Sequence, residues 1–127
     1  MKEYISVSAE NPKFRKFIKV IKKGAGKLLK ASHKNKAFLE IHLVDKRFMD
    51  KNVLAFSAPE HFPRPDIKGE FLGEIYLNPD YIEGHGEKLS DMLVHGFLHL
   101  LGYDHEEKND RIAMEKKEKQ LSNLLSF

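Results

Sequence analysis

The run His95-Gly96-Phe97-Leu98-His99-Leu100-Leu101-Gly102-Tyr103-Asp104-His105 sets three imidazoles in the spacing H-x-x-x-H-x-x-G-x-x-H. Four residues separate the first two, so on a helix both project from one face about one turn apart, near enough to share a cation. Gly102 falls where such a helix has to stop, because glycine accepts the left-handed backbone that ends helices and turns the chain back. That reversal returns His105 as a third ligand. The pattern points to a divalent metal site built from His95, His99 and His105, against the plain alternative of three ordinary histidines on a buried helix.

The flanking sequence supplies a small sheet for this helix to pack on. Tyr4 to Ser8 reads as a strand with β-branched Ile5 and Val7. Asn11 caps and Pro12 opens a helix in which Phe14, Phe17, Ile18 and Ile21 recur at three-and-four spacing, ringed by Lys13, Lys16, Lys19, Lys22 and Lys23. Gly24 and Gly26 are expected to weaken or bend its continuation to about Lys30. From Phe38 to Val44 a strand sets Leu39, Ile41 and Leu43 against Glu40 and His42. Val53-Leu54-Ala55-Phe56 is a continuous apolar run, expected to be a strand covered on both faces. Pro59, Pro63 and Pro65 mark a loop carrying His61 and Arg64. Phe71 to Leu77 is the last strand, which Asn78-Pro79 ends or leads into a short turn. One helix is expected from about Glu87 to Leu101 and a closing helix from about Lys108 to Leu125, with Ile112, Met114, Leu121 and Leu125 along one stripe. The order predicts an α+β fold: one domain over residues 1–127, a mixed sheet of about four strands, and helices packed on it.

Composition narrows the chemistry. The chain has 127 residues, 41% of them hydrophobic, enough to fill one core. It has no cysteine, which excludes disulfides and thiolate ligands and suits a reducing cytoplasm. The opening Met-Lys-Glu-Tyr-Ile-Ser lacks the apolar core of a signal peptide, and no stretch reaches the length of a membrane span, so a cytoplasmic protein without a membrane partner is expected. The net charge of +3 conceals an asymmetry, since residues 1–36 carry 11 Lys or Arg against 2 Glu and the remainder 11 against 17 acidic residues. Basic clusters attract polyanions such as RNA, although a lysine-rich helix face is equally an ordinary solvated surface.

The histidine spacing is shared with zincin-type proteases, where the residue after the first histidine is a glutamate serving as general base. Here that residue is Gly96. The peptidase chemistry loses its base while the metal site loses nothing. The run from His95 to His105 more closely resembles the signature of the YbeY endoribonuclease family, H-G-x-L-H-L-x-G-Y-D-H, at every fixed position. Asn52 to Phe56 resembles that family's T-D-V-L-S-F-P strand, Gly73-Glu74-Ile75 its G-D-I, and Met114 with Glu118 the M-x-x-x-E of its last helix.

The resemblance implies a zinc-dependent endoribonuclease acting on single-stranded RNA, with one Zn²⁺ per chain. It also implies roles in maturation of the 3′ end of small-subunit rRNA and in ribosome quality control, with rRNA and the small ribosomal subunit as partners. The family has an arginine shortly before the T-D-V-L-S strand, and Arg47 alone fills that place here, with about two residues fewer between. The resemblance implies that this arginine is needed for activity, and its planar guanidinium fork suits it to clamp a phosphate. Departures are Asn52 for Asp, Ala55 for Ser, Ser57 for Pro and Glu74 for Asp; they bear on the pocket's hydrogen bonding and leave the ligands intact.

Three neutral imidazoles leave the full ionic charge on the metal and a fourth position open, so a water there acidifies toward about 7. Glu74 and Asp104 are candidates for a carboxylate that accepts the far N–H of a zinc histidine, against a solvent-facing strand residue and a local turn contact respectively. His33, His42, His61 and His85 read as surface or strand histidines. Two other functions fit parts of the pattern. One is a metal-dependent peptidase or other hydrolase with a stand-in base. The other is an RNA-binding ribosome-assembly factor with structural zinc, which the lack of cysteine and the three-ligand count disfavour.

Overall fold

The chain folds as β1 (Tyr4–Ala9), a 3-10 segment (Pro12–Phe17), α1 (Ile18–Ala31), β2 (Ala37–Leu43), β3 (Val53–Ser57), β4 (Glu70–Leu77), α2 (Pro79–Gly84), α3 (Leu89–Leu100) and α4 (Lys108–Ser122). The computed structural model describes residues 4–34, 36–58, 70–103, 107–125 and 127. Sheet order is β1-β2-β4-β3, with β1, β2 and β4 parallel and β3 antiparallel along the outer edge of β4. This is the mixed four-stranded α+β arrangement expected from the sequence.

The Asn11 side chain accepts from the Lys13 amide at 3.1 Å and Pro12 takes the first position, so the cap forms as predicted. The first turns are 3-10, and α1 then runs unbroken through both glycines to Ala31. Neither Gly24 nor Gly26 interrupts the helix, and at Gly24 it packs against the chain's end: a Cβ there would stand 2.8 Å from the Phe127 ring. Ile21, Leu28 and Leu29 of α1, Leu39, Ile41 and Leu43 of β2, Ile75 and Leu77 of β4, and Leu93, Val94 and Phe97 of α3 are fully buried and form the core between sheet and helices. Burying each such side chain is worth about 1.5–3 kcal/mol.

Several expectations need correction. β3 is an edge strand, half-buried at Val53 to Ala55 and exposed at Phe56, because it has one strand neighbour and only one face is packed, by α3. Asn78-Pro79 opens a short helix, α2, with the buried Asn78 as cap: its side chain accepts from the Tyr81 amide at 3.1 Å and donates to the Met49 carbonyl at 3.0 Å. Ile112 lies off the α4 stripe and is exposed, since two residues on a helix turn through about 200°, which places it opposite buried Met114. The proline loop with His61 and Arg64 falls in 59–69, outside the described residues.

The glycine in β4 sets the sheet register. Phe38 faces Phe71 and Glu40 faces Glu74, so β4 spends one residue more than β2 over that interval, a bulge. Gly73 sits in it at φ +135, and a Cβ there would collide with the Phe56 carbonyl oxygen. Opposite the helices, the sheet presents Glu40, His42, Glu74 and Tyr76, half-buried, with exposed Phe48 and Phe56 at their margin. No helix among the described residues is long and apolar enough to cross a membrane.

Candidate metal centre

Helix α3 buries Leu93, Val94, Phe97 and Leu98 and leaves His95 and His99 partly exposed along its flank. Its end is closed by two backbone bonds, Tyr103 N–H to the Leu98 carbonyl at 3.0 Å and Gly102 N–H to the His99 carbonyl at 3.1 Å, with Gly102 at φ +100. The predicted glycine stop is thus present, and α3 ends at Leu100, one residue after the second histidine.

The two imidazoles converge. His95 Nε2 and His99 Nε2 are 3.1 Å apart, with ring centroids at 4.7 Å and planes 74° apart. On its far side, His95 Nδ1 lies 2.9 Å from Glu118 Oε2 of α4, and both side chains are about one-quarter exposed. A carboxylate only accepts, so the proton sits on Nδ1 and the Nε2 lone pair of His95 faces His99. Two imidazole nitrogens at that separation require a proton or a cation between them. The donor set therefore fits a shared metal ion, oriented by a carboxylate behind the ring.

Of the three predicted ligands, the structure brings His95 and His99 together; His105, like Asp104, lies outside the described residues. The carboxylate behind the helix histidine is Glu118, not Glu74. Glu74 is on the opposite face of the sheet, where it is 3.2 Å from His42 Nε2 and accepts from the Tyr76 hydroxyl at 3.4 Å. Burial and the neighbouring Glu74 charge raise the Tyr76 phenol, which stays protonated as that donor. A signal for Glu118 existed: it lies four residues after Met114, whose side chain is fully buried, so the two share a face.

Position 96 faces the sheet. A Cβ on Gly96 would stand 2.8 Å from Ile75 Cγ2 and 3.2 Å from Val53 Cγ2, which leaves no room for the glutamate of a peptidase. Asn52 ties the start of β3 to α3, donating toward the Glu87 carboxylate at 3.3 Å with Met92 Sδ also at 3.3 Å, while its Oδ1 accepts from the Val53 amide at 2.7 Å.

Arg47 lies in the β2–β3 connection with a side chain 78% exposed. Its Nε and Nη2 bond the Asp45 carboxylate at 3.2 and 2.9 Å. These bonds hold Asp45 down at about 2 and raise Arg47 further. The pair lines a cavity of about 650 Å³ with Asn11, Lys13, Asn78 and Tyr81, and no histidine among the described residues borders it.

A four-stranded mixed sheet carrying a helix-borne imidazole pair, with a carboxylate behind one ring and a glycine stop after the other, defines an α+β fold with a candidate metal site. The family described as Endoribonuclease YbeY matches residues 4–126, and the chain belongs to that family. A relative from Francisella tularensis subsp. novicida (strain U112), named Endoribonuclease YbeY, is 35% identical over 96 residues, covering 65% of this chain and 59% of its own. One of the same name from Francisella tularensis subsp. tularensis (strain SCHU S4 / Schu 4) is 35% identical, covering 65% and 56%. The chain spans less than three-fifths of the length of these relatives. The solution structure of TM1509 from Thermotoga maritima shares the fold, with a TM-score of 0.59, 23% identity, and coverage of 95% of this chain and 88% of that one.

Proposed function

We propose that the protein, acting as one domain over residues 1–127, is a zinc-dependent endoribonuclease. Its substrate is single-stranded RNA, and its roles are maturation of the 3′ end of small-subunit rRNA and ribosome quality control in the cytoplasm, with the small ribosomal subunit as partner. The observation that carries this reading is the 3.1 Å convergence of His95 Nε2 and His99 Nε2 in front of the Glu118 carboxylate, in a chain of this family. His95, His99 and His105 hold the Zn²⁺. When bound, the ion supplies a Lewis acid for a phosphate oxygen and acidifies a water.

The chain's own groups do the rest. Glu118 keeps the His95 proton on Nδ1, which fixes the tautomer and strengthens Nε2 as a donor of electrons. Arg47 binds substrate phosphate through Nη1, while Asp45 holds the guanidinium plane by its other two nitrogens. Arginine is too basic to accept a proton, so its part is positioning and charge. The exposed Lys16, Lys19, Lys22 and Lys23 add a positive field that draws RNA toward the molecule.

The test is single-turnover cleavage of a single-stranded RNA by zinc-loaded protein. His99→Ala is expected to lower the rate about 100-fold or more, and Arg47→Ala by about 10²-fold, the scale of removing one transition-state donor. Full activity in His99→Ala would contradict the assignment. Specific cleavage of a peptide without RNA cleavage would move the reading to a peptidase.

A further inference from the structure

Glu40 on β2 and Glu74 on β4 are direct cross-strand partners, so two carboxylates stand side by side on the sheet face opposite α1 and α3. Like charges in that relation destabilise a sheet unless a cation lies between them. His42, two residues along β2 on the same face, brings Nε2 to 3.2 Å from Glu74 Oε1 and 3.6 Å from Glu40 Oε1. One ligand atom from each of the three side chains lies within 4.8 Å of the others, and the side chains are 25%, 25% and 37% exposed for Glu40, His42 and Glu74.

The imidazole is held from two further directions. Its Nδ1 is 2.9 Å from Ser8 Oγ on β1, and its ring stacks on Tyr76 at 4.8 Å. Without an ion, Nε2–H donates to Glu74, since a carboxylate only accepts; an ion entering the cluster takes that proton's place, and the ring then gives Nδ1–H to Ser8 Oγ, the arrangement in which a metal-ligating histidine gives its other N–H to an oxygen. Ligand atoms at about 2.0–2.2 Å from a tetrahedral ion are roughly 3.3 Å from one another, and the two measured separations bracket that value.

We propose that Glu40, His42 and Glu74 form a second metal site, for a divalent transition-metal ion of the Zn²⁺ or Co²⁺ class. One nitrogen and two carboxylate oxygens suit such an ion, and its charge cancels that of the carboxylate pair. The site lies across the sheet from the helix histidines and shares no ligand with them, so it stands or falls independently of the endoribonuclease reading.

Cobalt titration followed by absorbance and by metal analysis separates the two. Wild-type protein is expected to take two Co²⁺ per chain, the His95→Ala/His99→Ala protein one, Glu74→Gln one, and the three substitutions together none. Ser8→Ala is expected to weaken the sheet site about tenfold. A folded His95→Ala/His99→Ala protein that binds no Co²⁺ overturns the proposal, as does a Glu74→Gln protein that still binds two. Wild-type protein gives a check that needs no substitution, by ¹⁵N NMR of the imidazoles during zinc addition. Movement of the His42 Nε2 resonance with the second equivalent supports the site. If His42 Nε2 keeps its proton and its resonance is unmoved through two equivalents, an Nε2–H bond to the carboxylates accounts for the cluster and the metal site is refuted. Loss of the first equivalent alone bears on the helix site and leaves this one standing.

Discussion

The helix pair and the sheet cluster each place a histidine beside a carboxylate, but they are assembled by different kinds of proximity. His95 and His99 meet because one helical turn separates them, and nothing outside α3 is needed to bring them together. His42 and Glu74 are 32 residues apart and meet only because β2 and β4 pair in one register. A one-residue slip would send Glu74 to the helix side of the sheet and a core residue outward. The first arrangement is therefore robust to changes in the sheet, and the second is hostage to the bulge at Gly73.

Gly73→Ala is the strongest way to break that contrast. It puts a side chain at φ +135 and against the Phe56 carbonyl, with an expected loss of about 3 kcal/mol or more in urea denaturation. In protein that still folds, the carboxylate pair should no longer face His42, while the His95–His99 contact persists. An unchanged denaturation midpoint would show that the register does not depend on this glycine.

Glu118→Ala probes the helix site alone. Losing the carboxylate behind His95 should weaken zinc binding at the helix site by about 10–100-fold and leave the sheet cluster untouched, as read by competition with a chromophoric chelator. Equal affinity in the variant would show that Glu118 does not orient the ring. Gly96→Ala tests how closely α3 approaches the sheet. Alanine favours a helix by about 1 kcal/mol, but the Cβ contact with Ile75 Cγ2 at 2.8 Å involves a branched methyl of a fully buried side chain that cannot swing away. Overpacking wins, and a net loss of about 1–2 kcal/mol is expected in thermal or urea unfolding; a stabilised variant would show slack at the interface.

The smallest effect concerns the Arg47–Asp45 pair. Asp45 titrates at about 2 against an ordinary value of 3.8, so the folded state holds this proton more weakly than the unfolded one. The pair's contribution is accordingly complete above the ordinary value and disappears as pH falls through about 2. Carboxyl ¹³C shifts should give that midpoint for Asp45, and Arg47→Ala should return it toward 3.8. A midpoint unchanged by the substitution would mean that the arginine does not hold the carboxylate.

What the sequence revealed divides along the same line as the two sites. The alternation of β2, the Asn11 cap, the helix bearing the histidines and its glycine stop are written in spacings of a few residues, and each is present where the spacing puts it. The position of β3 at the sheet edge was hidden because an apolar run alone does not say how many neighbours a strand has. Glu74 and Glu118 were both visible as carboxylates, but which one stands behind a helix histidine depends on which face of the sheet β4 turns outward and on how α4 crosses α3. His42 looked like an ordinary strand histidine, because its partners come from strand pairing. The role of Arg47 rested on resemblance, and the structure adds its fixed pairing with Asp45.

Whether the helix imidazoles bind one divalent ion is decided by an anomalous difference map at the zinc absorption edge, from crystals of protein loaded with a single equivalent of zinc. A peak is expected about 2.0–2.1 Å from both His95 Nε2 and His99 Nε2, with the two nitrogens spread slightly beyond their present 3.1 Å. A map with no peak between those rings would contradict a shared ion.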